Sequence, residues 1–150
     1  MDERIRTMIR TQRLCVLATS FRGQPYCSLM GYLWDDERGE FYLVTRQDSR
    51  KFYNLSRNPR VSLLLDTRGP VHEQEREPIR ALTILGKAGV PPQEDMCKEM
   101  RERILELHPK LADLIRDPQA VLVRIRPSSF LLLEGVQDAY FEQWVESDQS

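Results

Sequence analysis

The sequence predicts a mainly β protein with helices (α+β), a six- or seven-stranded antiparallel barrel with helical decoration. Short apolar and aromatic runs recur, separated by turn signals. A pair of helical stretches is inserted late in the chain. The strand–helix–strand alternation of a doubly wound sheet is missing, and so is any G-x-G-x-x-G.

The elements follow in order. Ile5, Met8 and Ile9 recur at helical spacing within residues 4–12 and predict a short amphipathic helix. LCVLATS, Leu14 to Ser20, is almost continuously apolar, as in a strand buried on both faces. FRGQP is a turn punctuated by Gly23 and Pro25, and YCSLMGYLW, Tyr26 to Trp34, is a second strand. Asp35, Asp36 and Gly39 close a hairpin into EFYLVT, residues 40–45. Asp48-Ser49 cap a short helix running to about Asn54, with Phe52 and Leu55 on one side, and Pro59 ends it. VSLLLD, Val61 to Asp66, is a fourth strand, and Thr67 to Pro78 is a charged loop. Ala81 to Val90 is a fifth strand, in which Gly86 and Gly89 mark a bulge or a close backbone approach.

Pro91-Pro92 then open a helix with Met96, Met100, Ile104 and Leu107 on one stripe. Pro109 interrupts it before a second short helix, KLADLIRD. AVLVRIRP, Ala120 to Pro127, alternates as a half-buried strand, SSFLLLEG gives a last strand, and Tyr140 to Val145 a terminal helix. No internal repeat, low-complexity tract or linker divides the chain, so residues 1–150 are expected to form one domain.

At 150 residues, with 41% hydrophobic and 30% charged side chains, the chain can bury a real core and is not of disordered composition. Net charge is −1 and the pI about 6.2, so no global field favours nucleic acid or an anionic membrane. Any anion must be recognised locally. Cys15, Cys27 and Cys97 are scattered without CxxC spacing, which argues for free thiols in a reducing compartment. The start, MDERIRTMIR, lacks the apolar stretch of a signal peptide, and no run reaches membrane-spanning length. The expectation is a cytoplasmic protein with neither membrane nor nucleic acid as partner.

One stretch departs from this even charge. TRQDSRKFYNLSRNP, Thr45 to Pro59, sets Arg46, Arg50, Lys51 and Arg57 against the single acid Asp48. Arg supplies a fork of donors, Lys a point charge, Thr45 and Ser49 neutral hydrogen bonds, and a helix start adds free backbone N–H groups. From the residues alone this is either a phosphate site or a solvated turn.

The order LCVLATS–FRGQPYCSLMGYLW–GEFYLVTRQDSRKFYNLSRNPRVSLLLD resembles the pyridoxamine 5′-phosphate oxidase-like family of FMN-binding split barrels. The specific part is the run T-R-Q-D-S-R-K-F-Y-N-L-S-R-N-P-R-V; the likeness is close over residues 14–66 and looser to the VRIRPSSFLLLEG ending. The resemblance implies a split β-barrel homodimer with FMN at the subunit interface. It implies that Ser49, Arg50 and Lys51 hold the FMN phosphate, with Thr45 and Arg46 beside it. Ser28, Leu29, Met30 and Gly31 would line the isoalloxazine ring, mostly by backbone, and Gly31 would permit close approach. Met30, Tyr32 and Trp34 also fit plain core packing, and Arg57 and Arg60 fit the surface or a helix end.

His72 and His108 have no metal-site spacing with any cysteine and are read as solvent-exposed. No catalytic residues are assigned, because flavin chemistry requires no side-chain acid or base and no nucleophile motif is visible. The Thr67–Pro78 loop either shapes a substrate entrance or is disordered. The expected activity is that of an FMN-dependent oxidoreductase on a small molecule. The alternative is a flavin-binding or electron-transfer module, with haem- or deazaflavin-linked chemistry further off. No arginine follows Arg126, where pyridoxamine phosphate oxidases carry an Arg- and Trp-rich end, so that vitamin substrate is not assigned.

Overall fold

A computed structural model describes residues 1–68, 78–135 and 138–144. Helix α1, Glu3–Thr11, is capped by Asp2, whose carboxylate accepts from the Arg4 amide at 2.8 Å. Its apolar residues Ile5, Met8 and Ile9 enter the core together, as their spacing requires. The next strands form a tight hairpin, β1 (Leu14–Phe21) and β2 (Gln24–Gly31), joined through Arg22 and Gly23 with φ of 52° and 77°. Two positive φ values make the primed turn that matches strand twist. Pro25 is tolerated within β2 because this is an edge strand of the sheet.

The second predicted strand breaks at Tyr32 into β2 and a short β3, Leu33–Asp35. Tyr32 is fully buried, and its hydroxyl lies 2.6 Å from the Ile9 and 2.8 Å from the Gln12 carbonyl. It thereby satisfies carbonyls at the end of α1. Strand β4 is Glu40–Arg46, α2 Arg50–Arg57, β5 Arg60–Asp66 and β6 Arg80–Gly89. Helix α3, Glu94–Leu107, leads through a 3-10 turn into α4, Ala112–Arg116. The two last predicted strands are one, β7, Ala120–Glu134, running through Pro127. Residues 138–143, at the start of the expected terminal helix, instead form β8, paired along β7.

Among the described residues the sheet has eight strands in the order β2-β1-β5-β6-β7-β4-β3, with β8 on β7, a curled split barrel. Its inner face closes around Phe41, Leu63, Leu82, Ile84, Ile125 and Phe130. On the outer face of β3, β4 and β7 a second cluster, including Tyr42, Val44 and Leu122, is covered by Met100 and Ile104 of α3 and by Leu111 and Leu114. Strand β1 is buried on one face only: Cys15, Leu17 and Thr19 point inward while the alternate residues stay half-exposed. Gly86 sits at a register shift between β6 and β7, where a Cβ would lie 2.6 Å from the Arg126 carbonyl oxygen. Gly89 has open space around it.

On the outer face one row crosses six strands in register: Leu29, Val16, Leu64, Thr83, Leu131 and Phe141. Its ends are bare, with Leu29 71% and Phe141 59% exposed. Among the described helices none is long and apolar enough to cross a membrane.

Candidate functional site

The end of β2, the end of β4, the start of α2 and the α3–α4 connection meet around a cleft of about 240 Å³. It is lined by Leu29, Met30 and Gly31 of β2, Val44, Thr45 and Arg46 of β4, Ser49 and Lys51 at the start of α2, and Leu111 and Leu114. The chemistry is divided: Leu29, Met30, Val44, Leu111 and Leu114 are apolar, and the start of α2 brings the cation Lys51.

The cationic side is built by the cap of α2. The Ser49 hydroxyl donates to the Arg46 carbonyl at 2.8 Å, accepts from the Phe52 amide at 3.2 Å, and lies 3.1 Å from the Thr45 hydroxyl. Thr45 is 4% exposed, so both hydroxyls are spent shaping the helix start. The amides of Arg50 and Lys51 are left as first-turn donors without an intrahelical acceptor. A helix start ordinarily attracts acids. Here the first turn holds none, and carries Arg50 and Lys51 instead. Among the described residues neither has an acidic partner.

Arg46 differs. Its guanidinium donates to Asp48 at 2.9 and 3.2 Å and also to Asp117. The Asp48 hydrogen bond raises its pKa, and the same contact holds the Asp48 carboxyl below the ordinary carboxylate range. Both prongs of its fork are occupied, so Arg46 ties β4 to the loop before β7 and lends the cleft little free charge.

A model of the family described as pyridoxamine 5′-phosphate oxidase matches residues 1–133. The chain belongs to this family. Solved structures similar to it include the haem-binding protein of Mycobacterium smegmatis, at 19% identity and TM-score 0.78, over 92% of this chain and 55% of that one. The chain therefore spans about half of that protein's length. The haem storage protein of Vibrio cholerae matches at 18% identity and TM-score 0.72, over 91% and 98% of the two chains. An FAD-binding protein of Mesorhizobium loti matches at 21% and 0.71, over 88% and 93%. At such identities the likeness is one of fold. No curated protein matches the chain in sequence.

Of the residues that the family resemblance singles out, Leu29, Met30, Gly31, Thr45, Arg46, Ser49 and Lys51 are brought together around the cleft. Ser28 is set back, half-buried in β2 opposite Leu17. Arg50 lies exposed beside the cleft, its guanidinium 5.9 Å from the Tyr53 ring centre. Leu111 and Leu114 escape sequence reading, because nothing in KLADLIRD says which strands it will face.

His108 is half-buried, not solvent-exposed. Its Nε2 lies 2.9 Å from the Tyr32 carbonyl, and its ring covers Gly31, where a Cβ would stand 3.2 Å from Cε1. A side chain at position 31 would displace the ring, which supplies the physical reason for glycine beside the cleft. His72 and most of the Thr67–Pro78 loop lie outside the described residues. Cys15 is buried and its thiol is pushed up to about 12 by desolvation, so it serves packing.

Proposed function

We propose that this protein is an FMN-binding flavoprotein, a homodimer with the flavin between subunits, acting as an oxidoreductase between flavin and a small organic substrate. The observation that carries this reading is the helix start at the end of an apolar cleft, with Arg50 and Lys51 where acids ordinarily sit. A phosphate monoester offsets what is locally unfavourable there: it accepts from the two free amides and neutralises two cations that the helix dipole repels. The flat flavin ring asks for apolar surface and reachable backbone, and Leu29 to Gly31 together with Leu111 and Leu114 in the lining offer both. When bound, the flavin supplies the hydride chemistry. The chain's part is to hold the ring edge along β2, to fix the phosphate, and to exclude water.

Support for the second copy is independent of the cofactor. The row from Leu29 to Phe141, apolar but for Thr83, half-exposed in its middle and bare at both ends, is the kind of face that suits an interface. It begins at the cleft itself, since Leu29 belongs to both. At about 240 Å³ the cleft is smaller than the roughly 300–1,000 Å³ of pockets that bury a ligand of this size. A partner laid on the row would wall its open side.

The absorption spectrum of the purified protein tests the reading. Flavin bands at one per subunit are expected, lost when Arg50 and Lys51 are both replaced by alanine. Protein that stays colourless after incubation with excess FMN overturns it. A Soret band would favour haem instead, the reading suggested by the names of the M. smegmatis and V. cholerae proteins. Turnover with a reduced nicotinamide or dioxygen separates an enzyme from a flavin carrier.

A further inference from the structure

Beside the cleft, the outer face of α2 carries a second arrangement that runs on from Arg50, the one residue it shares with the proposed phosphate end, to groups an FMN phosphate leaves unused. Arg57 stacks 3.5 Å from the centre of the Tyr53 ring, and Arg50 approaches the same ring at 5.9 Å. Phe21 meets Tyr53 edge-on at 5.3 Å and 87°, with Arg22 at 5.1 Å from the Phe21 ring. Tyr53 nevertheless stays 39% exposed. Among the described residues none of these arginines has an acidic partner, although most other arginines of the chain are ion-paired. The positive field continues past the helix, where exposed Arg60 faces exposed Lys87 directly across β5 and β6. Like charges directly opposite on a sheet are destabilising. Fold stability does not account for such a set.

The Arg57 guanidinium spends one donor on the Tyr53 carbonyl, at 3.2 Å, and no acid takes the others. A stacked guanidinium–aryl pair among arginines without acidic partners matches a planar base joined to phosphate: the base adds to the stack and the phosphate takes the remaining guanidinium donors. The placement is also suitable. From Arg50 to Arg57 the helix rises about 10 Å, the scale of a ribose and phosphate linker, and Arg50 stands where the cleft ends. We propose that the Arg50–Tyr53–Arg57 face of α2 is a nucleoside-phosphate site, holding the adenylate part of a ligand whose other half reaches the cleft. The proposal rests on the flavin reading above for what that other half meets. The adenylate has two sources, a flavin dinucleotide in place of FMN, or a nicotinamide dinucleotide serving as hydride donor.

The test compares the native chain with Arg57→Gln and Tyr53→Leu, both away from the FMN phosphate and on an exposed face. In the first arm, apo protein is titrated with FMN and FAD; a preference for FAD of ten-fold or more that Arg57→Gln abolishes supports the site and assigns it to the flavin. In the second, FMN-loaded protein is titrated with 2′,5′-ADP; binding weakened ten-fold or more by either variant supports the site and assigns it to the donor. Equal FMN and FAD affinities together with no 2′,5′-ADP binding overturn the proposal and leave the flavin reading standing. Should FMN itself fail to bind, 5′-AMP titrated into the flavin-free chain reads the face alone, and no binding there overturns the proposal as well. A single-stranded oligonucleotide bound as tightly as 5′-AMP, and insensitive to Tyr53→Leu, also overturns it, since the patch would then be a general polyanion surface.

Discussion

Helices α1 and α2 are of nearly equal length and both are capped by a side chain, yet they begin in opposite electrostatic ways. α1 has Asp2 at its cap and Glu3 in its first turn, the arrangement that a helix dipole favours. α2 has neutral Ser49 at its cap and Arg50 and Lys51 after it. α3 agrees with α1, opening on Glu94 and Asp95. The first pattern serves folding alone. The second gives up a little stability at a place where an anion can restore it, and the proposed flavin site rests on that trade more than on the charge count of the loop.

Reversing the charge of α2 should break this contrast most sharply. With Arg50→Glu and Lys51→Glu the apo protein should become more stable, by about 0.3–1 kcal/mol for each acid. Flavin affinity should fall at least 100-fold, since two charge-assisted contacts of roughly 1.5–3 kcal/mol each are lost. Thermal melting and flavin titration on one sample read the two opposite signs; a loss of both stability and flavin would show that the cations serve the fold.

Removing the caps sharpens the comparison at a smaller scale. Ser49→Ala should cost about 1 kcal/mol and weaken flavin as well, because the same hydroxyl fixes the helix start at the cleft. Asp2→Ala should lower stability while leaving flavin affinity unchanged, as measured by paired denaturation and titration curves.

Acid should produce the smallest effect and should separate the helices without mutation. The Arg4 hydrogen bond lowers the Asp2 pKa, so the cap's contribution is present above the usual value of 3.8 and is lost as pH falls through the depressed one. Ser49 does not titrate. Asp48 also protonates in this range, which releases Arg46 but leaves the α2 cap intact. Amide hydrogen exchange between pH 5 and 2 should therefore show α1 fraying before α2.

Much of this architecture is legible in the sequence. Apolar runs and turn residues locate β1, β4, β5 and β6, and Gly86 marks its bulge as expected. Errors arise where local pattern and distant partner disagree. Tyr140 and Trp144 are spaced like helix neighbours, yet β7 offers an unpaired edge, and residues 138–143 pair with it. LCVLATS reads as doubly buried because composition cannot reveal that one of its faces belongs to an exposed row. At the site, the cationic end is legible because its residues are contiguous. The Leu111–Leu114 part of the cleft, the Asp117 contact that occupies Arg46 and the His108 ring on Gly31 each join residues some seventy or more positions apart, and no local signal announces them.

The fifteen-residue β7 has a mechanical consequence. Its first half contributes Leu122 to the layer beneath α3 and α4, and its second half contributes Phe130 and Leu132 to the barrel interior. One continuous backbone thus spans both cores, and displacing Leu111 and Leu114 should be felt along the strand on which the barrel closes. The two layers should melt as a single unit, and a ligand gripped by those two leucines would tighten the whole molecule.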